Sequence, residues 1–149
     1  MIWGSFSGFG KSSIAFIGTR LNSNGYQQVL QEHLLPYLKK FPSANHIFMQ
    51  DNAAIHASRS TANWLKENNV KTLQWPSRSP DSNPIENIWG IIVRDIYADC
   101  RQYETVSQLK IAIKNAWERI SNDTIKNLVN SMPKRINLLI KSEGKPIKY

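Results

Sequence analysis

The chain has 149 residues, 41% of them hydrophobic, enough for one domain with a sizeable buried core. Its 19 Lys and Arg against 11 Asp and Glu give a net charge of +8 and a pI near 9.7, an excess that favours polyanionic partners through phosphate neutralisation. No apolar run is long enough to span a membrane, the N-terminus lacks the order of a secretory signal, and a single cysteine excludes an internal disulfide framework or a cysteine-based zinc site.

Residues 1–9 read as a strand, with Ile2, Trp3 and Phe6 apolar and a turn at Gly8-Phe9-Gly10. The apolar run Ile14-Ala15-Phe16-Ile17 follows and predicts an antiparallel hairpin. Residues 24–41 are predicted helical, because Tyr26, Val29, Leu30, Leu34, Leu38 and Phe41 recur on one stripe. Pro36 inside that stripe predicts a kink, since it has no N–H for the carbonyl of Glu32. Residues 46–51 then read as a buried, central strand, apolar at Ile47, Phe48 and Met49 and ending in Asp51.

A helix over residues 58–68 is expected to start on Ser58 as N-cap and to bury Ala62 and Leu65. Residues 70–75 form a short strand, and Trp75-Pro76 begins a long turn. The next helix, residues 83–98, carries a strong start signal: Asn83 as cap, Pro84 at the first position and Glu86 three residues after the cap. Its buried stripe is Ile85, Ile88, Trp89, Ile92 and Ile96. Helices are also predicted over residues 105–120 and from Ser121 on, the latter ended or broken by Pro133. A short amphipathic segment at residues 136–140 leads into a basic end with Lys134, Arg135, Lys141, Lys145 and Lys148 against one acid, Glu143. Cys100 is expected to be a small, partly buried side chain.

Two acids stand out. Asp51 ends a strand, where α/β sheets place reactive groups, and Glu86 opens a later helix, with 34 residues between them. Such a pair, brought together, suits a divalent cation held by hard oxygens. Each also has a plainer reading. Asp51 with Asn52 fits a turn, and Glu86 fits a capping box that stabilises its own helix.

The runs QDNAAIH, WPSRSPDSNPIENIW and GKPIKY resemble the catalytic domain of mariner-superfamily DDE transposases, in the Sleeping Beauty-like branch, over essentially the whole chain. The resemblance implies an α/β, ribonuclease H-like mixed sheet flanked by helices, with extra C-terminal helices. It also implies that the first, central strand and its acid, together with the DNA-recognition domain, lie ahead of Met1. Residues 1–149 are thus expected to be a single partial catalytic domain. The implied activity is metal-dependent DNA cleavage and strand transfer, with Asp51 and Glu86 as catalytic, metal-holding acids in a two-metal Mg²⁺ or Mn²⁺ site. With two of three acids, the chain alone is expected to be inactive. The alternative is a non-catalytic remnant that binds DNA or assembles with full-length transposase.

DNA is the implied partner, with a second copy or the full-length transposase, and the nucleus the implied location. His56 matches the family's QDN…H and is read either as a contact near the scissile phosphate or as a histidine hydrogen-bonded within its loop. Arg59, Arg78, Lys134, Arg135 and Lys141 are candidate phosphate contacts, against the reading of a solvated charged surface. Asp81 is read as turn chemistry between Pro80 and Pro84.

Overall fold

The computed structural model of the chain describes residues 1–76, 79–143 and 145. The described residues fall into two units: residues 1–5 and 12–76, and residues 6–11, 79–143 and 145.

In the first unit, β1 (Ile2–Trp3) pairs antiparallel with β4 (Ala15–Phe16), Ile2 opposite Phe16 and Trp3 opposite Ala15. The ladder does not run on as a regular strand pair. Beyond it the Ser12 hydroxyl takes the N–H of Ser5 at 3.0 Å and itself donates to the Ser13 carbonyl at 2.9 Å, so a side chain replaces part of the backbone pairing. The predicted hairpin is therefore broken, and its tip, β2 (Phe6–Ser7) with β3 (Gly10–Lys11), is a separate ladder belonging to the second unit. Gly10 sits there at φ +132°, a region side chains avoid.

The predicted first helix forms in three pieces. α1 (Ser23–Val29) starts on Asn22, whose side chain accepts from the Gly25 N–H. A π-helical turn, Leu30–Leu34, closes with the Leu35 N–H on the Leu30 carbonyl, and α2 (Leu35–Lys39) follows. The wide turn lies just ahead of Pro36, which has no N–H to donate and whose ring crowds the carbonyl four residues back. One wider turn lets the apolar stripe continue past it: Tyr26, Leu30, Leu34 and Tyr37 are all buried. Tyr26, Leu30 and Leu34 share a core with Trp3, Ala15, Leu65 and Val70, and Phe48 and Ile55 pack against it. Burial of each leucine contributes about 1.5–3 kcal/mol.

β5 (Phe48–Met49) pairs in parallel with β6 (Thr72–Leu73) across α3 (Arg59–Glu67). The expectation of a buried central strand over residues 46–51 is corrected. β5 is two residues long, half-buried and paired on one side only among the described residues, and Ile47 is 56% exposed. Among the described residues no ladder joins β1–β4 to β5–β6, and the strands form small separate pairs. Ser58 caps α3 as predicted, accepting from the Thr61 N–H. The buried residue beside Leu65 is Thr61, not Ala62, which is exposed. Thr61 can be buried because its hydroxyl donates to the Ile55 carbonyl at 2.7 Å. Asn69 at φ 56° ends the helix, with the Val70 N–H returning to the Leu65 carbonyl.

The second unit is mostly helical: α4 (Ile85–Ile96), α5 (Val106–Arg119), α6 (Asn122–Asn130) and α7 (Met132–Lys141), with one-turn 3-10 segments at Pro80–Ser82 and Ala98–Cys100. Ile88, Ile92 and Ile96 of α4 are buried, as are Ile113, Ala116 and Trp117 of α5, and the Trp89 ring stacks on Trp117 at 5.6 Å. α5 begins with a capping box between Thr105 and Gln108. The helix predicted from Ser121 ends at Asn130, ahead of Pro133 as expected, and the proline itself lies in the first turn of α7, where its missing N–H has no intrahelical partner to lose. Cys100 is exposed, not partly buried, on a turn where Asp99 and Cys100 both take φ 56°.

Candidate active site

Asp51 lies just past the carboxyl end of β5, on an open groove of about 970 Å³ in the first unit. Gln50, Asn52, His56, Lys66, Lys71 and Trp75 also line it. The Asn52 side-chain amide donates to the Trp75 carbonyl at 2.7 Å, tying together the segments that leave the two parallel strands. The loop after Asp51 is held by its own polar groups: the Ile55 carbonyl accepts from both the Thr61 and Ser58 hydroxyls.

The Asp51 carboxylate is itself held. Its Oδ1 accepts the Ala53 N–H at 3.0 Å, the turn read from the sequence, and His56 Nδ1 lies 2.6 Å from the same oxygen. A carboxylate has no proton to give, so Nδ1 carries it and donates. Behind His56, the Tyr26 ring lies against the imidazole with centroids 4.2 Å apart. The Tyr26 hydroxyl donates to Gln50 Oε1 at 2.7 Å, and Gln50 Nε2 donates to the His56 carbonyl at 3.1 Å. Burial, and after it the neighbouring Asp51 charge, push the Tyr26 phenol well above its ordinary range against a hydrogen bond with Trp3, so it stays a donor. None of Tyr26, Gln50, Lys66 and Lys71 was singled out for the site from the sequence. The signal available was the periodic place of Tyr26 on α1 and the position of Gln50 next to Asp51.

Glu86 lies in the second unit, in the first turn of α4. The predicted capping box is absent. The helix begins at Ile85, and Asn83 Oδ1 accepts the Ile85 N–H at 3.3 Å instead of capping from further along. One residue of offset leaves the Glu86 carboxylate exposed, with no hydrogen-bond or ion-pair partner among the described residues. The carboxylate is therefore not committed to capping its own helix. Asp51 Oδ2 is likewise uncommitted among the described residues. Hard carboxylate oxygens of this kind fit Mg²⁺ or Mn²⁺. Among the described residues no group of three His, Cys, Asp or Glu side chains comes together.

Arg59 is exposed at the first position of α3, following the Asp51 loop. Lys134 and Lys141 are exposed on α7. Arg78 lies outside the described residues, as does Lys148. Arg135, expected among the phosphate contacts, is corrected: it is 1% exposed. Its guanidinium donates to Ser131 Oγ at 2.9 Å, the Asp81 carbonyl at 3.1 Å and Asn87 Oδ1 at 2.7 Å. It joins α7 to the 3-10 turn and to the residue after Glu86, and has no surface from which to reach DNA. Asp81 lies in that turn, as read from the sequence.

Residues 2–110 match the family of the DDE superfamily endonuclease. The Tc3 transposase of Caenorhabditis elegans is 44% identical over all 149 residues, which cover 45% of its length. The Tcb1 transposase of Caenorhabditis briggsae is 31% identical over the same 149 residues, or 54% of its length. The chain thus spans about half the length of these relatives. Among solved structures, the catalytic domain of Mos1 mariner transposase matches with a TM-score of 0.85 at 20% identity, over 99% of this chain and 75% of that one. The same domain has been solved with raltegravir and Mn, at the same TM-score and identity. At that identity the likeness speaks for the fold, which is ribonuclease H-like. By the match over most of its residues, the chain belongs to the DDE superfamily endonucleases.

Proposed function

We propose that the chain is the catalytic portion of a cut-and-paste transposase, cleaving DNA strands and joining the ends to a target, with Asp51 and Glu86 as the metal-holding acids. The observation that carries this reading is the pair of uncommitted carboxylates, that of Asp51, which lines the groove and has Oδ2 without a partner among the described residues, and that of Glu86 at a helix start. Bound Mg²⁺ or Mn²⁺, two ions in the intact enzyme, would supply the activation of a water or 3′-hydroxyl and the stabilisation of the leaving oxygen. Asp51, through its uncommitted Oδ2, and Glu86 would hold the metal.

Arg59, Lys66 and Lys71 give the first unit a positive surface for the phosphate backbone, and Lys134 and Lys141 do so on α7. Arg78 joins them on sequence grounds, and His56 stands beside the scissile phosphate through its contact with Asp51. The partners are then transposon-end and target DNA, with a second copy or the full-length transposase, and the work is done in the nucleus. Two carboxylates only half neutralise two divalent ions, so the isolated chain binds metal weakly and does not transpose.

Manganese titration followed by electron paramagnetic resonance tests the assignment. Asp51→Asn and Glu86→Gln each lower Mn²⁺ affinity in this account, while wild-type binding by both variants would contradict it. A second reading, a non-catalytic DNA-binding or assembly remnant, draws on the lack of a three-acid cluster among the described residues. It predicts no specific Mn²⁺ binding at all, with DNA affinity that is steeply salt-dependent and unchanged in both variants.

A further inference from the structure

We propose that His56 is a positioning residue for Asp51, clamping Oδ1 so that Oδ2 faces the groove and a divalent cation; this rests on the metal-holding role given to Asp51 above. An exposed carboxylate on a loop ordinarily swings among rotamers. Asp51 is such a group by exposure, its side chain 61% accessible, but His56 is only 20% accessible and is fixed on three sides. Its ring lies on Tyr26, its carbonyl is held by Gln50, and its Nδ1–H meets Asp51. Tyr26 in turn is buried to 1% in the core and fixes Gln50 through its hydroxyl. The order from Tyr26 through Gln50 and His56 to Asp51 carries the rigidity of the core to an acid at the surface.

Two donors on one oxygen make the assignment specific. The Ala53 N–H alone would set the turn and leave the carboxylate able to twist. The imidazole adds a second direction, so the carboxylate plane and the identity of its outward oxygen are both set. Partners of this kind behind a metal ligand typically change metal affinity by about ten- to a hundredfold. The contact also accounts for a histidine five residues past the acid: Ala53 N–H and His56 Nδ1 converge because the turn brings the Ala57 and His56 N–H groups back onto the Ala53 carbonyl.

The test uses the 149-residue chain and Mn²⁺. His56→Phe keeps a ring against Tyr26 but removes the donor, and His56→Asn supplies an amide donor without the ring. The expected result is Mn²⁺ binding about tenfold weaker in His56→Phe and close to wild type in His56→Asn, with similar thermal midpoints, and lost in Asp51→Asn. Wild-type affinity in His56→Phe, with binding lost in Asp51→Asn, would overturn the positioning role and leave the metal assignment standing. Wild-type affinity in Asp51→Asn would overturn both. If His56→Phe does not fold, the nitrogen resonances of wild-type His56 decide: a protonated Nδ1 supports the clamp, and an Nδ1 without its proton overturns it.

Discussion

Replacing Arg135 by alanine removes the polar staple that joins α7 to the turn and helix carrying Glu86. Three hydrogen bonds from one buried cation are lost together. The Asp81 carbonyl and Asn87 Oδ1 lose a donor, at about 1–3 kcal/mol for each acceptor left unsatisfied. Loss of the side-chain volume adds a cavity, and release of the guanidinium from its desolvated position offsets part of the total. The net is a destabilisation of about 3 kcal/mol, which for a chain of this size lowers the melting midpoint by about 10 °C. Arg135→Lys keeps the charge but replaces a planar fork by a single ammonium, so it should fall between wild type and alanine. Circular dichroism melts of the three proteins read the series. Should Arg135→Ala melt within about 2 °C of wild type, the staple contributes little and the reasoning from burial fails.

Two further outcomes follow from local chemistry. The Tyr26 phenol is raised by burial, so in the folded chain it keeps its proton at pH values where the unfolded chain, ionising near 10, has lost it. A raised folded-state value means stability is fully present below pH 10 and is lost as pH climbs beyond it; Tyr26→Phe should therefore flatten the alkaline fall in urea-unfolding stability, and equal slopes would contradict this. Thr105→Ala removes the hydroxyl half of the capping box on α5 and should cost about 1 kcal/mol in the same urea titration, and no change would mean the helix start is held by packing alone.

Much of the architecture is legible in the residues because local signals and tertiary packing agree. Ser58, Thr105 and Ser121 mark helix starts that the structure keeps, and the stripe from Tyr26 to Leu34 is the core of the first unit. The departures come where a long-range partner decides. Pro133 reads as a breaker locally, yet Ser131 lets one helix end and the next begin around it. Arg135 reads as a surface charge, and only its three acceptors on separate segments make it a buried one. The strands are shorter than their apolar runs because Ser12 diverts a backbone N–H and β5 has one partner among the described residues. For the site, Asp51 and Glu86 were visible as acids at element ends. The one-residue offset that frees Glu86 and the Tyr26–Gln50–His56 support behind Asp51 were not, since neither spacing nor composition encodes who accepts from whom.

The central proposal is that Asp51 and Glu86 are both metal-holding acids. Iron bound in place of the proposed divalent cation generates hydroxyl radicals at its ligands on addition of ascorbate and peroxide, and cuts the backbone nearby. The account predicts cleavage close to residues 51 and 86 together, with both cuts lost in Asp51→Asn and in Glu86→Gln. Cuts near only one of the two, or cuts that survive either substitution, would contradict it.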